Sequence, residues 1–135
     1  VAEIQTPSNT TYRVSDWGRG REIHIRNSMK SIHFEPANDA VPGAKGETLL
    51  VCEFFTVAKR SAVAGERGAT PSGECVAIML LSGALDAVHA GAVEPRVSVA
   101  AGETILLPAG LVDAALDASH DATWLEITLP QGKGL

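Results

Sequence analysis

Apolar positions change their spacing twice along this chain. Val1 to Thr6 alternates as V-A-E-I-Q-T, with Val1, Glu3 and Gln5 on one face, and predicts a strand. Pro7-Ser8-Asn9 interrupts it. Thr10 to Ser15 is rich in β-branched and aromatic residues and predicts a second strand. Asp16 to Gly20 (D-W-G-R-G) reads as a turn. Between Arg21 and Ile32 the spacing becomes helical, with Ile25, Met29 and Ile32 on one face, so one short helix is expected. Residues 35–48, with Pro36, Pro42, Gly43 and Gly46, read as an extended connector.

From Leu49 the rhythm is that of strands. Leu49 to Val57 is almost continuously apolar and reads as one buried strand, and Arg60 to Gly73 as a loop or weak hairpin. Further short strands are expected at Cys75–Leu81, Ala84–His89, Arg96–Val99, Thr104–Leu107, Ala114–Leu116 and Ala122–Leu129. Turn residues punctuate them at Ser82-Gly83, Gly91, Gly102 and Pro108-Ala109-Gly110. Many short strands at regular spacing define an all-β sandwich or small barrel.

Composition narrows this picture. A chain of 135 residues with 45% hydrophobic content can bury one core, and with six aromatic residues that core must be mostly aliphatic. The net charge of -5 argues against nucleic acid as a partner, since phosphates call for a surplus of Lys and Arg. No stretch approaches the roughly 20 apolar residues of a membrane span. With no basic-then-apolar signal segment, a cytoplasmic protein is the expectation. Cys52 and Cys75 sit in apolar runs and read as buried free thiols. Residues 1–36 carry five basic and four acidic groups, whereas residues 37–135 carry six and twelve. A division at that point is expected: a strand pair and helix in 1–36, and a β-barrel in 37–135.

Gly102, five residues, Pro108, one residue and Gly110 form a spacing that resembles the second motif of the cupin superfamily. The V-A-I-M-L-L-S-G run ending at Gly83 resembles the end of the first motif. The resemblance implies a cupin-like jelly-roll barrel with one short N-terminal helix. Cupins that bind metal use His, His and Glu in the first motif and His in the second. Those positions fall near Ala69 and Pro71, on Val76 and on Asp113. No metal ligand set is therefore expected in this barrel. Glu74 lies nearby as a lone carboxylate, and a remodelled site built on Asp113 or Glu74 has little to support it. His24, His33, His89 and His120 each read as surface or structural residues, the last two at turns.

The run from Glu3 to Ile25, E-I-Q-T-P-S-N-T-T-Y-R-V-S-D-W-G-R-G-R-E-I-H-I, closely resembles a signature of type I mannose-6-phosphate isomerases of the bacterial short form. The segment G-E-T-I-L-L-P-A-G (Gly102–Gly110) is similar to that family's C-terminal barrel. The resemblance implies interconversion of mannose 6-phosphate and fructose 6-phosphate through an enediol, with zinc as the family's metal. The family's zinc ligands lie upstream of the signature, so none is expected in this chain. The signature arginine corresponds to Arg13, the candidate catalytic and substrate-binding residue, since a guanidinium can stabilise an enediolate or hold a phosphate. Gln5 and Thr11 are further candidates for substrate binding. Thr11 and Arg13 would share one strand face, with Tyr12 on the other. Asp16, Trp17 and Arg19 read as turn and packing residues.

Two functions follow. In the first, the chain is the C-terminal portion of such an isomerase, inactive alone, with sugar phosphate as ligand and an upstream catalytic domain as partner. In the second, it is a free-standing metal-free cupin that binds a sugar or mediates assembly, for instance as a homodimer.

Overall fold

A computed structural model describes residues 2–34, 47–89, 95–111 and 113–129. The chain divides into two compact units, Val1–Asn38 and Asp39–Leu135.

Among its described residues the first unit contains one helix, α1 (Ile25–Ser31). Residues 2–24 contain no strand, contrary to the pair expected at 1–6 and 10–15. The segment has strand-like composition but no ladder. His24 donates its backbone N–H to the carbonyl of Arg13 at 2.7 Å, and no sheet grows from that contact. The predicted turn is present. Arg19 N–H reaches the Asp16 carbonyl at 3.2 Å, with Trp17, Gly18 and Gly20 at positive φ. The helix is shorter than its apolar spacing suggested. Lys30 lies in its last turn, where a cation suits the helix dipole.

Among its described residues the second unit holds nine strands: β1 (Glu47–Val51), β2 (Thr56–Ala62), β3 (Arg67–Ala69), β4 (Val76–Ser82), β5 (Ala84–Val88), β6 (Arg96–Ala100), β7 (Thr104–Leu107), β8 (Ala115–Ala118) and β9 (Ala122–Thr128). They form a five-stranded sheet of order β1-β2-β9-β4-β7 and a four-stranded sheet of order β3-β8-β5-β6. Every pairing is antiparallel. The arrangement is the expected jelly roll, with two sheets in place of a closed barrel.

Period-two alternation explains the core. Val76, Ile78 and Leu80 of β4 are completely buried, and Trp124 of β9 joins them. Leu85, Val99, Leu116 and Ala118 come from the other sheet. Ala77, Met79 and Leu81 alternate with the buried residues of β4 and are less buried. Gly83 is the single residue between β4 and β5, where the chain leaves one sheet for the other.

The apolar run read as one buried strand, 49–57, is broken. Cys52 donates its backbone N–H and its thiol to the carbonyl of Phe55, at 3.1 and 3.3 Å. The turn separates β1 from β2. Leu49, Leu50 and Val51 are exposed because β1 is an edge strand with an irregular register between Thr48 and Leu50. Beyond Val57, β2 runs on to Ala62 through Arg60, which sequence polarity had assigned to a loop. Cys52 and Cys75 are free and half-buried. Among the described residues no helix is long and apolar enough to cross a membrane.

Candidate functional site

Arg13 is half-buried, whereas Gln5 and Thr11 are exposed. No hydrogen bond or ion pair joins the three. Without a strand at 10–15, the shared face expected for Thr11 and Arg13 is not formed. Arg13 is held by its backbone to His24, whose Nδ1 lies 3.5 Å from the Arg13 N–H. The imidazole and Tyr12 ring centroids are 6.0 Å apart, tilted by 60°.

The best-ordered polar feature of this unit is Asp16. Its carboxylate is buried and accepts the backbone N–H of Arg21 at 2.8 Å and Arg21 Nε at 2.6 Å. Burial pushes its pKa up. The Arg21 hydrogen bonds, the Arg19 backbone and the Arg13 charge together outweigh burial and hold it below the ordinary 3.8. A carboxylate with a depressed folded-state pKa contributes stability above its unfolded pKa and loses it as pH falls through the folded value. The turn around Arg21 is therefore expected to hold at pH 5 and to loosen only at a pH below the ordinary 3.8. An acid titration of the Arg21 Nε–H resonance checks this. A resonance lost already between pH 6 and pH 5 contradicts it.

Trp17, expected to pack, is 83% exposed. It is not alone. Among the described residues of this unit only Asp16 and Ser28 are buried, and both are polar. Val14, Ile23, Ile25, Met29, Ile32 and Phe34 all lie open to solvent. Ile25, Met29 and Ile32 form the stripe that the helical spacing predicted, and that stripe has no covering layer within the unit.

In the second unit, a cavity of about 310 Å³ opens between β5 and β6 of one sheet and β7 of the other. Ala87, Val88, Val97, Ile105, Leu106, Leu107, Leu111 and Ala114 line it, together with His89. His89 continues the β5–β6 pairing, its backbone N–H reaching the Pro95 carbonyl at 3.0 Å. Its Nδ1 is buried without a hydrogen-bond partner. The signal for this residue was present as Leu85-x-Ala87-x-His89, a period-two row whose first two members face inward.

The positions that would hold a cupin metal lie at this end of the sandwich. Val76, at the glutamate position, pairs with the cavity residue Leu107 and is completely buried. Ala69 and Pro71 carry no donor atom. Asp113 is exposed and held at φ 61°. Among the described residues no three His, Cys, Asp or Glu side chains converge. The described residues do not fit zinc at this site.

No family model and no curated protein matches the sequence. Solved structures do match the fold. A conserved protein of unknown function from Streptococcus pyogenes shares 25% identity over 64% of this chain and 75% of its own, with a TM-score of 0.53. An RmlC-like cupin with a double-stranded β-helix fold from Methanocaldococcus jannaschii shares 14% over 73% and 93%, with a TM-score of 0.56. The ectoine synthase of P. lautus shares 15% over 68% and 69%, with a TM-score of 0.55. The chain is thus a cupin-fold protein. That fold hosts enzymes and other proteins alike, so a particular activity has to come from the residues.

Proposed function

We propose that this chain is the non-catalytic cupin part of a mannose-6-phosphate isomerase-like protein. It supplies Arg13 toward the sugar phosphate and a metal-free jelly roll. A separate catalytic portion supplies zinc and the acid and base groups. The observation that carries the reading is the first unit's surface. A segment that exposes Tyr12, Val14, Trp17, Ile23, Met29 and Phe34, and whose fully buried described residues are polar, is a segment made to be covered. The run that bears this surface is the one that resembles the isomerase signature. Val76 in place of a ligand supports the division of labour.

The test is turnover of mannose 6-phosphate. The chain alone, with zinc, is expected to stay at the no-enzyme rate. Adding the zinc-bearing portion of a type I mannose-6-phosphate isomerase is expected to produce fructose 6-phosphate above the rate of that portion alone.

The second reading, a free-standing assembly module, is favoured by one feature of the five-stranded sheet. Leu50, Val57, Ile127, Ala77 and Leu106 align in register across all five strands. Leu50 and Leu106 close the row at 47% and 63% exposure. A second copy pairing through this row would appear as a dimer in sedimentation of the chain alone.

A further inference from the structure

We infer that His24 is the positioning residue for Arg13, through a two-bond clasp that depends on a side-chain acceptor at position 24. The inference rests on the isomerase reading of Arg13 and names the residue that holds it in place. Arg13 and His24 lie on the two arms that flank the turn at Asp16–Gly20. In a regular antiparallel pair, two such residues exchange backbone N–H and carbonyl groups with each other. Half of that exchange is present, since the His24 N–H reaches the Arg13 carbonyl at 2.7 Å. The other half goes elsewhere. His24 is the N-cap of α1, and its carbonyl accepts the Ser28 N–H at 2.8 Å as the first bond of the helix. The Arg13 N–H turns instead to the imidazole, with Nδ1 at 3.5 Å.

The surroundings of the ring suit this role. Nδ1 accepts only when bare, so the neutral ring must carry its proton on Nε2. Nε2 lies 3.4 Å from the Glu22 carboxylate, the partner that favours that tautomer. The Tyr12 ring, its centroid 6.0 Å away and tilted by 60°, flanks the imidazole. The His24 side chain makes no cap bond to the helix, which leaves it for Arg13. The Arg13 guanidinium makes no hydrogen bond or ion pair with another described residue, so its backbone sets where it stands. Loss of Nδ1 would leave the half-buried Arg13 N–H without its partner. It would loosen the one residue that the reading directs at the sugar phosphate.

The experiment compares the wild type with His24→Leu, which removes the acceptor, and His24→Asn, whose side-chain oxygen restores one. In the isolated chain, NMR follows hydrogen exchange at the Arg13 amide and the ¹⁵N resonances of the neutral His24 ring. The wild-type ring is expected to hold its proton on Nε2. The Arg13 amide is expected to exchange about fivefold faster in His24→Leu, the worth of one neutral hydrogen bond, and within about twofold of the wild type in His24→Asn. With the zinc-bearing portion added, His24→Leu is expected to lower the rate of fructose 6-phosphate formation about tenfold, and His24→Asn to recover most of that loss. A proton on Nδ1 in the wild type, equal exchange in the wild type and His24→Leu, or an equal loss of rate in both variants would overturn the inference. The ring spectrum needs no variant, so it decides even if neither variant folds. A mixture indifferent to Arg13→Ala overturns the isomerase reading instead, and exchange in the isolated chain still judges the clasp.

Discussion

Gly83→Ala is expected to lower the free energy of unfolding by about 3 kcal/mol, combining a positive-φ cost of about 1 kcal/mol with an overpacking cost of about 2 kcal/mol. Gly83 has a φ of 85°. A Cβ added there would run into the carbonyl oxygen of Asp121 and lie 2.7 Å from Ala122 Cα. Both are backbone atoms, so neither can move without moving the chain. The position also matters topologically. Strands β4 and β5 meet at Gly83 while belonging to different sheets, and β8 and β9 make the reverse passage beside it. Strain at this corner reaches both layers. Gly102 is the control. Its φ is 91°, but a Cβ there would meet nothing within 4 Å. Gly102→Ala should cost only the backbone term, about 1 kcal/mol. Urea midpoints at unchanged slope measure both. Equal losses at the two positions would refute the close-packed corner.

Arg60→Met is expected to cost about 3 kcal/mol, because it leaves Glu126 charged and unpaired. Arg60 Nε and Nη2 both donate to Glu126 Oε1, at 3.1 and 2.9 Å. The glutamate side chain is 11% exposed and the arginine 33%. Both lie on the sheet face that carries Ile78 and Leu80, in the rows Ala58–Glu126–Ile78 and Arg60–Trp124–Leu80. A solvated pair on the opposite face would contribute well under 1 kcal/mol. The double variant Arg60→Met, Glu126→Leu is expected to recover most of the loss, since apolar groups of similar volume replace buried ion pairs with little penalty. Thermal or urea unfolding of the two variants measures this. A single variant as stable as the wild type would mean that water already screens Glu126. A double variant no better than the single would mean that Arg60 acts by its packing.

Strands whose apolar residues form both walls of the sheet were the most legible in the sequence. β4 and β9, interior strands of the five-stranded sheet, lie within a residue or so of their apolar runs, because Val76, Ile78, Leu80 and Trp124 have partners on both flanks and cannot shift register without surfacing. Gly83 and Gly102 marked their turns because few other residues adopt positive φ. Edge and boundary features were less legible. Leu49 to Val57 looked like one strand because a hydrogen-bonded turn at Cys52–Phe55 leaves no mark on hydropathy. Arg60 looked like loop because its acid lies 66 residues away in sequence. Residues 2–24 looked like strands because their composition suits a sheet, yet composition supplies no neighbouring strand to pair with.

The site divides the same way. The positions of the cupin ligands were readable by counting from Gly83 and Gly110, and two of them carry a fully buried Val76 and an exposed Asp113. His89 read as a turn residue because Gly91 follows it in sequence, yet its backbone continues the β5–β6 pairing. Arg13 is a candidate only through resemblance. Its partial burial and its backbone hold on His24 give it a defined place, but its own unit brings neither Gln5 nor Thr11 to it.

The central claim is that catalysis requires a second, zinc-bearing portion, with Arg13 as this chain's contribution. The most direct measurement is the initial rate of fructose 6-phosphate formation in the mixture of this chain and that portion, wild type against Arg13→Ala. The account predicts no turnover by either Arg13 form of the isolated chain. In the mixture it predicts a rate that falls at least about a hundredfold on substitution, the usual worth of one well-placed electrostatic donor. Turnover by the isolated chain with zinc, or a mixture indifferent to Arg13→Ala, would contradict it.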